Sequence, residues 1–481
     1  MSSVSTTLNS RPDLTPEPIR RHEWILAFML FALGLGLRAA WPDRLGVEHF
    51  DEGVYASNFY YTGEKGDEHY PNQHLYAPPL LPTLIEYLMV LVGPGNVAAV
   101  AIGITAGSLT ILLVWWSVRQ WIGPAAGLVA STLVALSDIH IAFSRTALTD
   151  VLLCLFLVAA VHGFWSAHTR SSWWRAVLAG GWTGLAWWTK YNGWLPAAIG
   201  LSGVLAWRLF EIWNQPRSPA TDPNRLRRAI RPIALSLLLW GTMVFVAALV
   251  WAPFWWSLQH RGGYAAVAAN HRTYLVGFAG WSTSLVTQAR KLSIFSGPLT
   301  GCSSLVALAV ALLWQRFRTP RFTWNALLRS NSLYLAVPVL GLLCVTEGGA
   351  VMLSFLGVVG ALVGVAVAVA VPPDTPTVPP SRRLAAWLLL AWVFGLFLSV
   401  PLYTPYPRLL LPLLIATWIG VGIFAEILIA EIQQAIENPN PVQEVVPKLG
   451  RRFRSRQMLA RARPLLLLVL LIGTGIAITQ H

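Results

Sequence analysis

Fourteen apolar runs punctuate this chain, at about residues 24–41, 80–93, 97–118, 123–137, 149–167, 175–189, 191–209, 232–256, 296–314, 331–346, 349–371, 384–402, 408–430 and 464–479. A helix needs about twenty apolar residues to cross the hydrocarbon of a bilayer, and most of these runs approach that length. Backbone in lipid must satisfy its own hydrogen bonds, so repeated runs of this kind commit the chain to an all-α, multi-pass membrane fold. The 80–93 run is shorter, contains Glu86 and ends in "GPG". It is expected to be re-entrant or interfacial, which leaves about thirteen transmembrane helices.

Composition agrees. Of 481 residues 55% are hydrophobic and 12% charged, with a mean hydropathy of +0.56. A soluble chain would carry roughly a quarter charged residues. Trp115, Trp116, Trp121, Trp255, Trp256 and Trp281 stand at the ends of runs, where amphipathic rings anchor helices at the headgroups. Cys154, Cys302 and Cys344 are isolated, so neither a disulfide framework nor a thiolate metal site is indicated.

The net charge of +14 would suit a nucleic-acid partner, but its distribution points elsewhere. With the amino terminus inside, 25 of the 35 Lys and Arg residues fall on the cytoplasmic side and 10 on the outer side. The 21 acids divide 10 and 11. Bias in basic residues alone is the positive-inside pattern, so the basicity is topological and no nucleic-acid partner is expected.

Three regions follow. Residues 1–23 form a polar cytoplasmic tail, too long and too acidic for a signal-peptide start. Residues 24–430 form the transmembrane core, with long outer loops at about 42–79 and 257–295 that alternate polar and aromatic residues. Those loops are expected to hold helices lying on the membrane surface. Residues 431–481 add a basic cytoplasmic stretch and a terminal transmembrane helix.

Ionisable residues collect at the outer ends of the runs. They are Asp51 and Glu52 in "EHFDEGVYASNFYY", Arg145 and Asp150 in "DIHIAFSRTALTD", Lys190 in "WWTKYNGW" and Arg408 in "PLYTPYPRLLLP". Charges near hydrocarbon are costly and usually face a polar cavity. Each has a plainer explanation. Asp51 suits the N-cap of a surface helix, Arg145 and Asp150 suit an ion pair, and Lys190 and Arg408 suit snorkelling anchors. The scattered histidines (His140, His162, His168, His260) show no ligand spacing. Mixed acids and bases at one membrane face suggest a site that handles a proton and an anion.

The ordered set "FDEGVYA", "FSRTALTDVLLCLF", "GLAWWTKYNGWL" and "PRLLLPLLIA" resembles the GT-C glycosyltransferases over about residues 24–430, especially the protein O-mannosyltransferases and the lipid A aminoarabinose transferase. The resemblance implies a GT-C fold and transfer of a hexose or pentose from a polyprenyl-phosphate carrier to a hydroxyl acceptor (glycan, lipid or protein). The expected setting is a cell inner membrane with the site facing the periplasm or exterior.

It also implies Asp51 as the base, since an alcohol must lose its proton as it attacks. Arg145, Lys190 and Arg408 would counter charge developing on the phosphate. Glu52 would orient the acceptor or a metal, and Asp150 and Glu86 would support the site. Tyr55, Tyr60 and Tyr274 are candidates to stack on sugar faces, as are Tyr61, Tyr76, Tyr264 and Trp281, though an aromatic belt would place rings there too. No cofactor is required. A divalent metal on Asp51 and Glu52 remains an option, because hard cations favour carboxylate oxygens. The competing classes are a transporter or flippase of lipid-linked sugars and a polysaccharide polymerase or ligase using a diphosphate carrier. A transporter would need repeat symmetry and buried mid-span charge, for which Glu86 and Glu347 form no path.

Overall fold

The computed structural model describes residues 18–42, 50–56, 73–214, 225–295, a few positions between 297 and 310, and 379–437. The runs at 331–346, 349–371 and 464–479, most of 296–314, and Tyr60 and Tyr61 lie outside the described residues.

Apart from one isolated β-bridge, all regular structure among the described residues is helical, and the helices follow the apolar runs closely. In chain order they are α1 (Arg21–Ala39), α2 (Phe50–Tyr55), α3 (Leu80–Val92), α4 (Asn96–Trp121), α5 (Pro124–Ala135), α6 (Asp138–Ser144), α7 (Thr149–Thr169), α8 (Trp173–Thr189), α9 (Leu195–Asn214), α10 (Arg225–Gln259), α11 (Gly263–Arg272), α12 (Trp281–Ile294), α13 (Pro380–Ser399) and α14 (Leu411–Glu437). Among the described residues seven helices are long and apolar enough to cross a membrane, or eight if the bent pair α5 and α6 is one span. The expected thirteen are therefore not reached within the described residues.

Two expected spans take another form. The 123–137 run is the 12-residue α5, and the chain then turns by 61° into α6. Ser137 caps the new helix, its hydroxyl accepting from the amide of His140 at 3.3 Å. The 175–189 run is the 17-residue α8, short for a full crossing of about twenty residues. As expected, Leu80–Val92 is a short apolar helix, and α11 and α12 are too short to span.

The core forms around α4, which packs against both α5 and α7, with α14 packed along α5. Lipid offers apolar side chains no hydrophobic gain from leaving it, so close backbone packing does the work and small residues favour it. The sequence of α5, "PAAGLVASTLVA", is buried almost all round for that reason. Elsewhere large apolar side chains such as Leu91, Leu238 and Phe245 are exposed, as lipid contact requires.

Successive helices run up and down, so alternate interhelix segments meet at the same end. At one end Glu23 on α1 pairs with Arg119 on α4 at 2.5 Å, and Glu426 on α14 accepts from the amide of Ala126 at 2.9 Å. The other end holds α2, the α6–α7 turn, the end of α8, α11, α12 and the start of α14.

Candidate active site

A cavity of about 690 Å³ opens at that second end. Its polar floor carries Asp51, Arg408 and Lys190, which with the buried Asp150 make a row of four alternating charges. An Nη2 proton of Arg408 is donated to Asp51 Oδ2. Arg408 Nε lies 3.9 Å from Asp150 Oδ2. Asp150 Oδ1 accepts from Lys190 Nζ at 2.5 Å. Asp51, Lys190 and Arg408 all line the cavity.

Local structure explains each position. Asp51 sits in the first turn of α2, where a negative charge suits the helix dipole. Asp150 occupies the first turn of α7 for the same electrostatic reason, with its side chain 2% exposed. Lys190 is the extended residue that ends α8, and the chain folds back through Gly193, whose amide donates to Lys190 O at 2.8 Å. A Cβ at Gly193 would collide with the carbonyl of Ala186, so the turn requires glycine. Arg408 lies in the 3-10 turn Pro407–Leu410 leading into α14.

The far wall is aromatic. Tyr274 stacks on Tyr403 with centroids 5.8 Å apart, and His271 Nδ1 is 2.9 Å from the Tyr403 hydroxyl. Tyr76, Tyr191 and Tyr264 also line the cavity, and Tyr55 and Tyr406 line it next to Arg408. Burial first, then the charge of Lys190, holds His271 below the usual imidazole range. Burial first, then neighbouring Tyr274, pushes the Tyr403 phenol up. Helix α12 clamps the segment carrying Tyr403. Trp281 Nε1 donates to Leu398 O at 2.9 Å, Ser284 Oγ to Tyr403 O at 2.8 Å and Lys291 Nζ to Pro405 O at 2.8 Å. A short antiparallel bridge between Leu275 and Tyr403 ties the segment after α11 to the segment after α13.

Thus Asp51, Asp150, Lys190 and Arg408 come together, with Tyr55 and Tyr274 beside them. Three other candidates are elsewhere. Arg145 turns away from the cavity and donates to the carbonyls of Leu37 at 3.0 Å and Ala40 at 2.9 Å, capping the end of α1. A phosphate-binding role for it does not fit this geometry. Glu52 also faces away, because adjacent helical side chains diverge. It is buried and accepts from the amide of Ala147 at 2.8 Å. Since Asp51 and Glu52 face different partners, they do not converge on one metal ion. Among the described residues no three His, Cys, Asp or Glu side chains gather as ligands. Glu86 is buried on α3 and does not line the cavity.

Sequence reasoning missed His271, Tyr403, Tyr406, Asn270 and Tyr191, all on the wall. It also missed Arg38, which is 0% exposed and uses its whole guanidinium. Arg38 donates to Ser144 Oγ, to the carbonyls of Gly34, Ala135 and Val134, and toward His140 Nδ1, at 2.8–3.3 Å. It thereby satisfies the carbonyls that the α5 break leaves without helical partners. On α4, Gly103 leaves no room for a Cβ, which would lie 2.8 Å from the carbonyl oxygens of Ser144 and Thr146. That close approach seats the α6–α7 turn and so the start of α7.

Residues 76–216 match the family model described as dolichyl-phosphate-mannose-protein mannosyltransferase. No curated protein matches the chain in sequence. Among solved structures, the chain is similar to the Archaeoglobus fulgidus oligosaccharyltransferase in its apo form, at 15% identity and TM-score 0.46, over 87% of this chain and 52% of that one. It thus spans about half the length of that relative. It is also similar to ArnT from Cupriavidus metallidurans bound to undecaprenyl phosphate, at 15% identity and TM-score 0.39, over 87% and 77%. A third likeness is to the S. cerevisiae protein O-mannosyltransferase Pmt1-Pmt2 complex bound to the sugar donor, at 18% identity and TM-score 0.35, over 48% and 34%. At these identities and scores the structural likenesses carry no functional argument. The match across residues 76–216, which contain the "FSRTALTD" and "WWTKYNGW" motifs, bears out the resemblance to the GT-C glycosyltransferase superfamily.

Proposed function

We propose that this protein is a membrane glycosyltransferase that moves a sugar from a polyprenyl-phosphate donor to a hydroxyl acceptor with inversion at the anomeric carbon. The observation that carries this reading is the charge row Asp51, Arg408, Asp150 and Lys190, of which Asp51, Arg408 and Lys190 line one cavity and Asp150 is buried between the two cations. The family match to dolichyl-phosphate-mannose-dependent enzymes over residues 76–216 supports the reaction class.

The chemistry needs both signs of charge. The acceptor oxygen forms a bond to the anomeric carbon while the bond from that carbon to the phosphate oxygen breaks. The hydroxyl proton passes to Asp51, and the leaving phosphate gains negative charge. Arg408 and Lys190 counter that charge, Arg408 through its planar fork and Lys190 as a point charge. Asp150 holds both cations in place. Tyr55 and Tyr274 offer ring faces to the sugar. Apolar lining from Leu195, Val267, Leu396 and Val400 suits the first units of a lipid tail.

The basic-residue bias supports a cytoplasmic amino terminus and a site facing the exterior of a bacterial inner membrane. Accessibility labelling of a tag in the 42–79 loop tests that orientation, and a cytoplasmic tag would refute it. Turnover of radiolabelled polyprenyl-phosphate sugars by the purified protein tests the reaction. Asp51→Asn should lower turnover by roughly a hundredfold or more, the size of a lost general base. Solute flux that survives Asp51→Asn would instead favour a transporter.

A further inference from the structure

The guanidinium that this mechanism assigns to the donor phosphate is bonded to the carboxylate assigned to the acceptor. Arg408 Nη2 donates to Asp51 Oδ2, whereas its Nε stands 3.9 Å from Asp150, beyond hydrogen-bond reach. Asp150 commits its other oxygen to Lys190 at 2.5 Å. The carboxylates of the two tight pairs differ in burial. Asp51 is 15% exposed and lines the cavity, while Asp150 is 2% exposed and does not. One carboxylate is fixed in the protein interior, and the other faces the cavity beside Arg408 and Lys190. A guanidinium takes a carboxylate or a phosphate along the same edge with nearly the same geometry.

We infer that Asp51 and the donor's phosphate compete for the cavity edge of Arg408, so that donor binding is an ion exchange that releases the base. This rests on the reading of the chain as a polyprenyl-phosphate-dependent glycosyltransferase. As the phosphate arrives at Arg408 and Lys190, the Asp51 carboxylate leaves the guanidinium and turns its oxygen toward the acceptor hydroxyl. Without a phosphate the carboxylate stays committed to Arg408 and activates no hydroxyl. The Lys190–Asp150 pair remains in place and supplies the fixed half of the phosphate grip. Base activation is thereby tied to occupancy of the donor site, with no separate conformational signal.

The exchange predicts an affinity change opposite to the activity change. Binding of a radiolabelled polyprenyl phosphate to the purified full-length protein is measured, with the corresponding neutral polyprenol as reference. Asp51→Asn, although inactive, should bind the polyprenyl phosphate about fivefold to tenfold more tightly than wild type, the size of a coupling near 1 kcal/mol. In an Arg408→Gln background the same substitution should leave affinity unchanged. Equal tightening in both backgrounds would mean a simple field effect and would overturn the exchange. Unchanged or weaker binding by Asp51→Asn would overturn it as well. Thermal unfolding checks that each variant is folded. If Arg408→Gln is not, Arg408→Lys keeps the charge without the fork and should shrink the Asp51→Asn effect, a full effect again counting against the exchange. If wild type binds polyprenyl phosphate no better than polyprenol, the glycosyltransferase reading fails and the exchange falls with it. That result is distinct from intact phosphate binding without competition.

Discussion

Glu52 accepts a hydrogen bond from the backbone amide of Ala147 at 2.8 Å, joining two points 95 positions apart. Its neighbour Asp51 faces Arg408 from the same six-residue helix. One short helix therefore carries the proposed base and fastens itself to the turn that presents Asp150.

The Glu52 contact yields the first prediction. Glu52→Gln keeps a carbonyl oxygen for the Ala147 amide and should cost under about 1 kcal/mol. Glu52→Ala removes the acceptor from a buried amide and should cost about 1–3 kcal/mol. Thermal unfolding in detergent measures both, and equal losses would show that this hydrogen bond does not hold the turn.

Breaking the inner ion pair should be worse than removing it. Lys190→Met leaves the buried Asp150 with Arg408 at 3.9 Å as its remaining cation in the row. We expect a loss of about 2–4 kcal/mol, with part of it recovered when Asp150→Asn is added. A double variant no more stable than Lys190→Met would refute the pairing as the source of the cost.

Arg145 and Arg408 should separate cleanly. Arg145→Ala removes two hydrogen bonds to the end of α1 and should lower stability by about 1–3 kcal/mol, with the donor KM unchanged in the folded fraction. Arg408→Ala should raise the donor KM and lower kcat together. A tenfold rise in donor KM for Arg145→Ala would return Arg145 to the phosphate site.

His271 gives a pH dependence of known sign. Burial and Lys190 depress its folded pKa below the ordinary 6.5. The unfolded chain then takes up a proton first as pH falls, so the stability linked to His271 is complete above about pH 6.5 and declines below it. Protonation would also end the ability of Nδ1 to accept from Tyr403 O–H. The melting temperature of wild type should fall between pH 6.5 and 5 more steeply than that of His271→Asn. Parallel curves would exclude His271 as the titrating group.

Asp51, Asp150, Lys190 and Arg408 were legible because each is a charge at the outer end of an apolar run, where a charge is costly without a partner. Arg145 met the same criterion and serves another purpose, since only its reach to the Leu37 and Ala40 carbonyls distinguishes a helix cap from a phosphate ligand. His271 and Tyr403 carried no local signal. They matter because α12 clamps one surface segment against another. Arg38, in the last turn of α1, was not singled out, because its role depends on the break after α5, which exposes the carbonyls it satisfies.

The apolar runs by themselves determined where helices must form and which ends carry charge, because lipid leaves a backbone no partner but its own turns. Pairing was decided only by tertiary structure. Arg408 and Asp51 are 357 positions apart, and a periodic pattern holds no distance information over such a separation. Up-and-down packing brings their helix ends to one side, and the direction of each side chain then selects Asp51 for Arg408 while turning Glu52 toward Ala147.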